Sequence, residues 1–344
     1  MNKAVFMTGI QKFEVKEIEM PEIKPDEILV QMEYVGVCGS DMHFFEYGKI
    51  GSCVVDKPFI LGHECAGMVV KTGDSVKQFS VGDRVALEPG IPCGECEFCK
   101  SGKYNLCDDV KFISVPPYDG ALRQYMAFPA NMAFKLPESL STLEGALMEP
   151  LAVGIHAAKT AKVQPGKTVA ILGAGCIGLV TLLACRAFGA TNIIMTDMFD
   201  VRLNKAKELG ASTVLNASEA DVVEEVMKLT GRKGVDLVFE TAGNKISAGQ
   251  TQFLVKKGGT ILLVGNVMEP VEFNCFELNN KEATIKTVFR YRNIFPVAIE
   301  ACANKLIDIS KIASHVFDID QAQEAFEYGM NHKQEVIKAV IKCR

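Results

Sequence analysis

The sequence predicts an α/β fold in two parts. One part is a β-rich, barrel-like domain built from both ends of the chain, and the other is an inserted domain with a doubly wound parallel sheet. A chain of 344 residues is too long for one ordinary hydrophobic core, which indicates two domains. Short strand-like runs dominate the first part, whereas strand-like and helix-like segments alternate after Gly166. A mixed pattern returns after Phe289, so both ends are expected to share one domain.

The strand-like runs of the first part are short, apolar and bounded by turn residues. Examples are 27–32, 67–71 and 84–87. Gly73-Asp74 and Gly82-Asp83 mark turns between such runs, because glycine and aspartate favour tight turns. This pattern is typical of a barrel-like arrangement.

The middle of the chain alternates regularly between the two kinds of segment. Strands are predicted at 168–172, 192–196, 235–240 and 260–264, and helices at 176–188, 201–209 and 222–229. Such alternation favours a parallel sheet with helices on both faces. Beyond it, the pattern predicts helices at 293–304 and 321–330 and a closing strand at 336–341. The predicted domains are 1–152 together with 290–344, and the insertion 153–289.

Bulk composition excludes several classes of function. Hydrophobic residues make up 48% of the chain and charged residues 23%, the balance of a soluble globular protein. The net charge, 37 − 42 = −5, argues against nucleic-acid and anionic-membrane partners, which need clustered basic residues. The first residues lack the apolar core of a signal peptide, so we expect a cytoplasmic protein whose cysteines are metal ligands or buried thiols.

Residues 173–178 read Gly-Ala-Gly-Cys-Ile-Gly, the pattern G-x-G-x-x-G of a dinucleotide-binding loop. Gly173 allows the tight turn after a strand, Gly175 lets the backbone approach a pyrophosphate, and Gly178 lets helix and strand pack closely. Segment 168–185 carries no charge, so a transmembrane helix is an alternative, but it would leave the glycines unexplained.

The strand that follows the glycine loop ends at Asp197. A carboxylate at this place accepts hydrogen bonds from the adenosine ribose hydroxyls and repels a 2′-phosphate, so NAD is favoured over NADP. Arg202 could bind a phosphate, but Asp197 precedes it, at the end of the strand, and its charge favours NAD. A glycine-rich turn in an unrelated α/β protein is the alternative interpretation.

A separate motif places four cysteines close together, Cys93, Cys96, Cys99 and Cys107. Four thiolates at such spacings bind a structural zinc ion in a tetrahedron and leave no open position for a substrate. We therefore expect a structural zinc lobe at 88–110. Disulfide pairing is the alternative, and a reducing compartment disfavours it.

A second metal site is suggested by residues scattered over three segments. Catalytic zinc takes few protein ligands and keeps one position open. A set drawn from Cys38, His63, Glu64 and Glu149 meets that need. Each of these residues is weak evidence alone, since an isolated histidine or cysteine is more often structural, and the hypothesis rests on their combination.

These motifs together resemble the zinc-containing medium-chain alcohol dehydrogenase family. Gly62-His63-Glu64-x2-Gly67-x5-Gly73-x2-Val76 fits the signature of that family, and the cysteine lobe and glycine loop follow in its order. The resemblance covers essentially the whole chain. Segments 38–43, 46–51, 149–156 and 288–291 are most similar to the sorbitol (L-iditol) dehydrogenase branch. The resemblance implies a GroES-like catalytic domain, an inserted Rossmann domain and a homotetramer.

The resemblance also implies roles for individual residues. Cys38 and His63 would hold catalytic zinc, with Glu64 and Glu149 as ligands directly or through water. Ser40, His43 and Glu149 match catalytic residues, the first two in a proton relay. Positions that match cofactor contacts are Gly173, Gly175, Ile177, Gly178, Asp197, Arg202, Val264, Val288 and Arg290. Positions that match substrate contacts are Phe44, Glu149, Arg290 and Tyr291, although Phe44 stands where animal sorbitol dehydrogenases carry tyrosine.

The implied activity is NAD-linked oxidation of a secondary alcohol, with sorbitol, L-iditol or xylitol converted to a ketose. Other enzymes of the family remain alternatives: threonine 3-dehydrogenase, 2,3-butanediol dehydrogenase and L-arabinitol dehydrogenase. A metal-free reductase would lack the pair Cys38 and His63. A non-catalytic zinc-binding module that reads nucleic acid would need a basic face, and the charges around the cysteine lobe are mixed.

Overall fold

Strands from the two ends of the chain share one seven-stranded sheet. The computed structural model describes residues 1–344, which fall into two units. The first unit comprises Met1–Glu149, Phe295–Lys305 and Ile309–Arg344, and the second comprises Pro150–Ile294 and Leu306–Asp308. The divisions lie a few residues from the boundaries that the sequence predicts after 152 and 289.

Strand Glu27–Gly36 organises the large sheet of the first unit. It is mostly buried and pairs antiparallel with Glu64–Thr72, with Tyr125–Pro129 and with Ala339–Lys342. Along the main path, the sheet order is Ala133–Lys135, Arg84–Leu87, Glu64–Thr72, Glu27–Gly36, Ala339–Lys342 and His315–Asp318. The C-terminal strands thus complete a sheet that the N-terminal part begins.

The remaining elements of the first unit are short. Its other strands are Asn2–Gly9, Lys12–Ile18, Lys49–Ile50, Cys53–Val54, Gly90–Ile91 and Lys111–Phe112. Its α-helices are Gly39–Tyr47, Glu97–Lys100, Thr142–Ala146, Phe295–Ala303 and Ala322–Asn331. Single 3-10 turns lie at Tyr104–Leu106, Ala130–Met132, Ile309–Ile312 and Ile319–Gln321.

Aromatic side chains fill the core of the first unit. Phe45 and Phe326 are fully buried, and their ring centroids lie 5.1 Å apart. Phe13 stacks on Phe45 at 4.9 Å. Phe326 comes from the C-terminal helix, so burial of these rings holds that helix to the N-terminal part of the unit.

The second unit contains the predicted doubly wound sheet, and the fold class is confirmed. Its six strands are all parallel, in the order Thr213–Asn216, Asn192–Asp197, Thr168–Leu172, Val235–Glu240, Val255–Leu263 and Thr284–Thr287. The strand order reverses between Thr168–Leu172 and Val235–Glu240. Ligands of such sheets bind at the carboxyl ends of the strands beside this reversal.

Helices alternate with these strands. Cys176–Ala187, Asp200–Glu208 and Val222–Leu229 lie where the sequence predicts them. Lys245–Leu254 and Cys275–Lys281 were not predicted, nor was Met148–Ala161, which begins in the first unit and continues into the second. The uncharged segment 168–185 is a strand, a loop and a helix, which removes the transmembrane alternative. None of the helices combines the length and apolar character needed to cross a membrane.

We expect burial of the central strand to contribute strongly to the free energy of unfolding of the second unit. Phe239 is fully buried on strand Val235–Glu240, so Phe239→Ala leaves a cavity and should cost about 3–5 kcal/mol. Phe253, on a helix of the same unit, is 43% exposed, so Phe253→Ala should cost less than about 1 kcal/mol. Urea unfolding followed by circular dichroism measures both, and equal losses would show that Phe239 is not a core residue.

Candidate metal and nucleotide sites

Three of the predicted metal ligands meet in the first unit. Cys38 is the N-terminal cap of helix Gly39–Tyr47, while His63 directly precedes strand Glu64–Thr72 and Glu64 begins it. Their ligand atoms all lie within 4.8 Å of one another. His63 and Glu64 are buried, and Cys38 is half-buried. A thiolate, an imidazole and a carboxylate in this arrangement form a donor set that suits zinc.

Asp41 positions the imidazole of His63. Its carboxylate lies 3.3 Å from Nδ1 of His63 and accepts hydrogen bonds from the Ser114 hydroxyl at 2.6 Å and the Cys38 amide at 3.2 Å. Burial opposes the charge of Asp41, but the attraction of His63 lowers its pKa below the ordinary value. Carboxylates that orient ligand histidines in this way are a regular part of zinc sites. Asp41 lies within segment 38–43, and its contact with His63 could not be predicted from the sequence.

Glu64 is held by a lysine far away in the chain. Nζ of Lys338 lies 2.8 Å from each carboxylate oxygen of Glu64 and donates to the carbonyl of Val37 at 3.0 Å. Lys338 is 4% exposed and Glu64 is 1% exposed. A Cβ on Gly36 would lie only 2.1 Å from Oε2 of Glu64, so the carboxylate occupies space that only glycine leaves free. Both carboxylate oxygens of Glu64 therefore take part in an ion pair with Lys338.

Glu149 belongs to the same unit but lies outside the group of converging ligand atoms. It is 6% exposed. Burial raises the pKa of Glu88 to about 7, and the charge of Glu149 acts in the same direction. Burial likewise raises the pKa of Cys65, to which Cys343 and Glu149 add. The first unit thus buries Glu88 and Glu149 in addition to Asp41 and Glu64, and buried carboxyl groups suit a divalent cation.

Helix Gly39–Tyr47 carries three further predicted residues. Ser40 and His43 are half-buried and one turn apart, so they share a face of the helix. The His43 ring lies 4.7 Å from the ring of Tyr47. Phe44 is 1% exposed and belongs to the hydrophobic core. Its contact with substrate stays a prediction, as do the relay roles of Ser40 and His43.

The four cysteines of the lobe converge as their spacing predicts. All four sulfur atoms lie within 4.8 Å of one another, with Cys93 3.9 Å and Cys96 3.4 Å from Cys99. Sulfurs of a tetrahedral zinc site lie about 3.8 Å apart, whereas a disulfide needs about 2.05 Å. Hydrogen bonds from the amides of Glu95 and Cys96 lower the pKa of Cys93 to about 7, which favours the thiolate.

The glycine loop of the second unit has the geometry required of a pyrophosphate site. Gly173 follows strand Thr168–Leu172 with φ +102°, and Gly175 caps helix Cys176–Ala187. A Cβ on Gly178 would lie 1.8 Å from the carbonyl oxygen of Gly173, so no other residue fits there. The loop brings the helix N-terminus, with its free N–H groups, to the carboxyl edge of the sheet.

Asp197 ends the neighbouring strand and faces the same loop. Its Oδ2 accepts the amide of Ala174 at 2.7 Å, and its Oδ1 accepts the amides of Met198 at 2.8 Å and Phe199 at 3.1 Å. The guanidinium of Arg202 lies 3.9 Å from Oδ2. These contacts fix the carboxylate beside the glycine loop, where the ribose of a dinucleotide binds.

Glu240 is a buried acid of the nucleotide unit that the sequence analysis did not identify. It ends strand Val235–Glu240, and its Oε1 accepts the amides of Ala242 at 3.0 Å and Gly243 at 2.8 Å and the Ser247 hydroxyl at 2.7 Å. Burial raises its pKa. It thereby shapes the loop at the carboxyl end of a central strand. The signal available in the sequence was an acidic residue at the end of an apolar strand.

The predicted cofactor and substrate residues near the end of the insertion lie in the nucleotide unit. Val288, Arg290 and Tyr291 precede the division after Ile294, whereas the sequence predicts that Arg290 and Tyr291 belong to the catalytic domain. Arg290 has φ +55°, and its guanidinium lies 4.6 Å from the ring of Phe289. Tyr291 is 3% exposed.

Comparison with protein families finds two known domains along the chain. Residues 24–138 match the alcohol dehydrogenase GroES-like domain, and residues 176–304 match the zinc-binding dehydrogenase domain. An uncharacterized zinc-type alcohol dehydrogenase-like protein of Escherichia coli, YdjJ, is 46% identical over 344 residues, which cover 99% of this chain and 98% of that protein. Sorbitol dehydrogenase of Bacillus subtilis is 43% identical, with 98% and 96% of the two chains covered.

The chain belongs to the zinc-containing medium-chain alcohol dehydrogenase family.

Solved structures of this family show the same fold. An Escherichia coli oxidoreductase/dehydrogenase of unknown specificity superimposes with a TM-score of 0.96 at 45% identity, covering 99% of both chains. The 2R,3R-butanediol dehydrogenase of Bacillus subtilis gives a TM-score of 0.92 at 30% identity, again over 99% of both chains. The protein is therefore a zinc-type alcohol dehydrogenase close to the sorbitol dehydrogenases, and its cofactors are Zn²⁺ and NAD.

Metal content tests the two ligand sets. The native protein should contain about two zinc ions per chain, one for each set. Cys38→Ser removes a thiolate from the open set, so it should contain about one zinc ion and lose turnover while NAD still binds. Elemental analysis after removal of free metal measures the content. The exposed Cys275 belongs to neither set, so Cys275→Ser is the control and should keep both ions. Full zinc content in Cys38→Ser would remove Cys38 from the ligands.

Cofactor choice tests Asp197. Asp197→Ala removes the acceptor for the ribose hydroxyls and the repulsion of a 2′-phosphate, so the ratio of kcat/KM for NAD to that for NADP should fall at least about tenfold. The exposed Asp200 lies three residues further along and bonds Asn216 at 2.9 Å, so Asp200→Ala is the matched control and should keep the native ratio. A native preference for NADP would show that Asp197 has another role.

Proposed function

We propose that the protein is an NAD-dependent polyol dehydrogenase that oxidises a secondary hydroxyl of sorbitol, L-iditol or xylitol to the ketose. The observation that carries this proposal is the convergence of Cys38, His63 and Glu64 in a chain that is 43% identical to a sorbitol dehydrogenase. The family supplies the reaction type, and the likeness to the sorbitol branch supplies the substrate class.

The residues of the first unit hold the metal and orient its ligands. Zinc bound here supplies a Lewis acid that acidifies the substrate hydroxyl, and NAD supplies the hydride acceptor. Asp41 lies against Nδ1 of His63, so Nε2 remains as the nitrogen that would bind the metal on the side of Cys38. The ion pair with Lys338 fixes the carboxylate of Glu64 in a buried place. Glu64 thus acts as a ligand or as a neighbour of the metal.

The proton that oxidation releases needs a path to solvent. Ser40 Oγ and the His43 imidazole lie one turn apart on helix Gly39–Tyr47. We assign them the transfer of this proton, with Ser40 as the inner group and His43 as the outer one. Both are half-buried, so the pair can connect a buried site with water.

The second unit binds the dinucleotide. Pyrophosphate would bind the amides of the loop at Gly173, Gly175 and Gly178, while Asp197 accepts the ribose hydroxyls. The remaining cofactor positions, which share this unit, are Ile177, Arg202, Val264, Val288 and Arg290. Arg290 and Tyr291 supply a guanidinium and a phenol for a polyhydroxylated substrate. Glu149 and Phe44 are proposed substrate neighbours in the first unit.

A second candidate function has one specific observation in its favour. The structure of 2R,3R-butanediol dehydrogenase covers the chain with a TM-score of 0.92. A vicinal diol without further hydroxyls would need no partner such as Arg290, so we rank polyols first. A cytoplasmic homotetramer remains the expected form of the enzyme.

A substrate screen decides between these functions. Zinc-replete protein is assayed with sorbitol, xylitol, galactitol, threonine and 2,3-butanediol, each with NAD and with NADP. We expect kcat/KM with NAD to be highest for sorbitol or xylitol, at least about tenfold above threonine and butanediol, because buried polar groups discriminate against substrates that lack hydroxyls. Cys38→Ser is the blank for activity that does not need the metal. A preference for butanediol or threonine would reject the polyol assignment.

A further inference from the structure

The four-cysteine lobe sends one side chain into the interior of its unit. Tyr104 lies in the turn Tyr104–Leu106, between Cys99 and Cys107. Its hydroxyl donates a hydrogen bond of 2.7 Å to Oε1 of Glu88. Glu88 is 2% exposed, so this contact joins the half-buried lobe to a buried carboxyl group.

Glu88 occupies a position next to the catalytic ligands. It directly follows strand Arg84–Leu87, which pairs antiparallel with Glu64–Thr72 and sets Leu87 opposite Cys65. Glu88 follows Leu87 in the chain and Glu64 precedes Cys65, so both acids adjoin the last residue pair of this ladder. The amide of Glu88 donates to the carbonyl of Met132 at 2.9 Å, which fixes its backbone.

The charge environment of Glu88 links it to Glu149. The pKa of Glu88 is raised to about 7: burial is the largest influence, the hydrogen bond from Tyr104 opposes it, and the Glu149 charge acts in the same direction as burial. Since a buried polar group needs a hydrogen-bond partner, the Tyr104 hydroxyl determines where the side chain of Glu88 lies.

We propose that Tyr104 and Glu88 form a strut through which the four-cysteine lobe positions the acidic residues around the catalytic metal. This inference rests on the proposed function, because it assumes a metal at Cys38 and His63. The lobe then does more than stabilise its own loop. Its Tyr104 hydroxyl fixes Glu88, and Glu88 in turn fixes the neighbourhood of Glu149 and Glu64. Both residues are positioning residues, and neither touches substrate.

Cobalt exchanged into the open metal site gives a readout that does not depend on activity, because its visible absorption bands follow ligand geometry. Native protein is measured first. Tyr104→Phe removes only the hydroxyl, so the cobalt bands should shift and kcat should fall about tenfold, which corresponds to the loss of one buried hydrogen bond. KM for NAD should stay native, and elemental analysis should still find zinc in the lobe.

The chain offers a matched control. Tyr328 donates to Oε2 of Glu335 at 2.8 Å on the surface of the same unit, so Tyr328→Phe breaks the same kind of bond away from the metal. It should keep the native bands and kcat. Glu88→Gln keeps an acceptor for Tyr104 and should also stay near native, whereas Glu88→Ala should resemble Tyr104→Phe. If Tyr104→Phe does not fold, the comparison of Glu88→Gln with Glu88→Ala tests the proposal instead.

Distinct results overturn the strut and the proposed function. Native cobalt bands and native kcat in Tyr104→Phe reject the strut while leaving the proposed function intact. Equal losses in Tyr328→Phe also reject it, since the effect would then not depend on the site. If Glu88→Gln is as impaired as Glu88→Ala, the charge of Glu88 matters and its position does not, which also rejects the strut. Native protein without cobalt at Cys38 would reject the proposed function, and the strut with it.

Discussion

The buried ion pair between Lys338 and Glu64 is the interaction on which the catalytic unit depends. The two residues come from opposite ends of the chain and are both almost fully buried. Breaking a buried pair by removing one partner costs about 3–5 kcal/mol, because the remaining charge stays in an apolar place. Lys338 directly precedes strand Ala339–Lys342, so the pair forms where that strand lies against Glu27–Gly36. It therefore links the closure of the domain directly to the geometry of the metal ligands.

The two units divide the chemistry according to what each kind of sheet offers. A parallel sheet collects helix N-termini and strand ends at one edge, and Gly175 and Asp197 use this edge for phosphate and ribose. The antiparallel sheet of the other unit brings residues from distant segments side by side, so Cys38, His63 and Glu64 can converge. The positions of the ligands follow from strand register, as in the pairing of Gly36 with Glu64.

Local patterns could be predicted from the sequence, whereas distant partners could not. Strands Arg84–Leu87 and Val235–Glu240 and helix Val222–Leu229 have the predicted bounds, because their apolar spacing is strong. The four-residue strands Thr213–Asn216 and Thr284–Thr287 were missed, since they are partly exposed and carry no such spacing. In the same way, the cysteine lobe and glycine loop are contiguous motifs, but nothing in the sequence joins Lys338 to Glu64 or Tyr104 to Glu88. Those contacts exist only once the sheet has set its register.

Buried acids explain why this unit binds a metal, and only two of them, Glu64 and Glu149, were assigned a role from the sequence. Asp41, Glu64, Glu88 and Glu149 are all buried in it, where Lys338 pairs with Glu64 and His63 lies against Asp41. Buried carboxylates without compensating charge oppose folding, so a divalent cation among them contributes to the stability of the folded unit as well as to its chemistry. Metal binding and folding are then linked, because the cation binds the assembled ligands and not the unfolded chain. The acidic neighbourhood is thus part of the metal site, even where its members are too far away to be ligands.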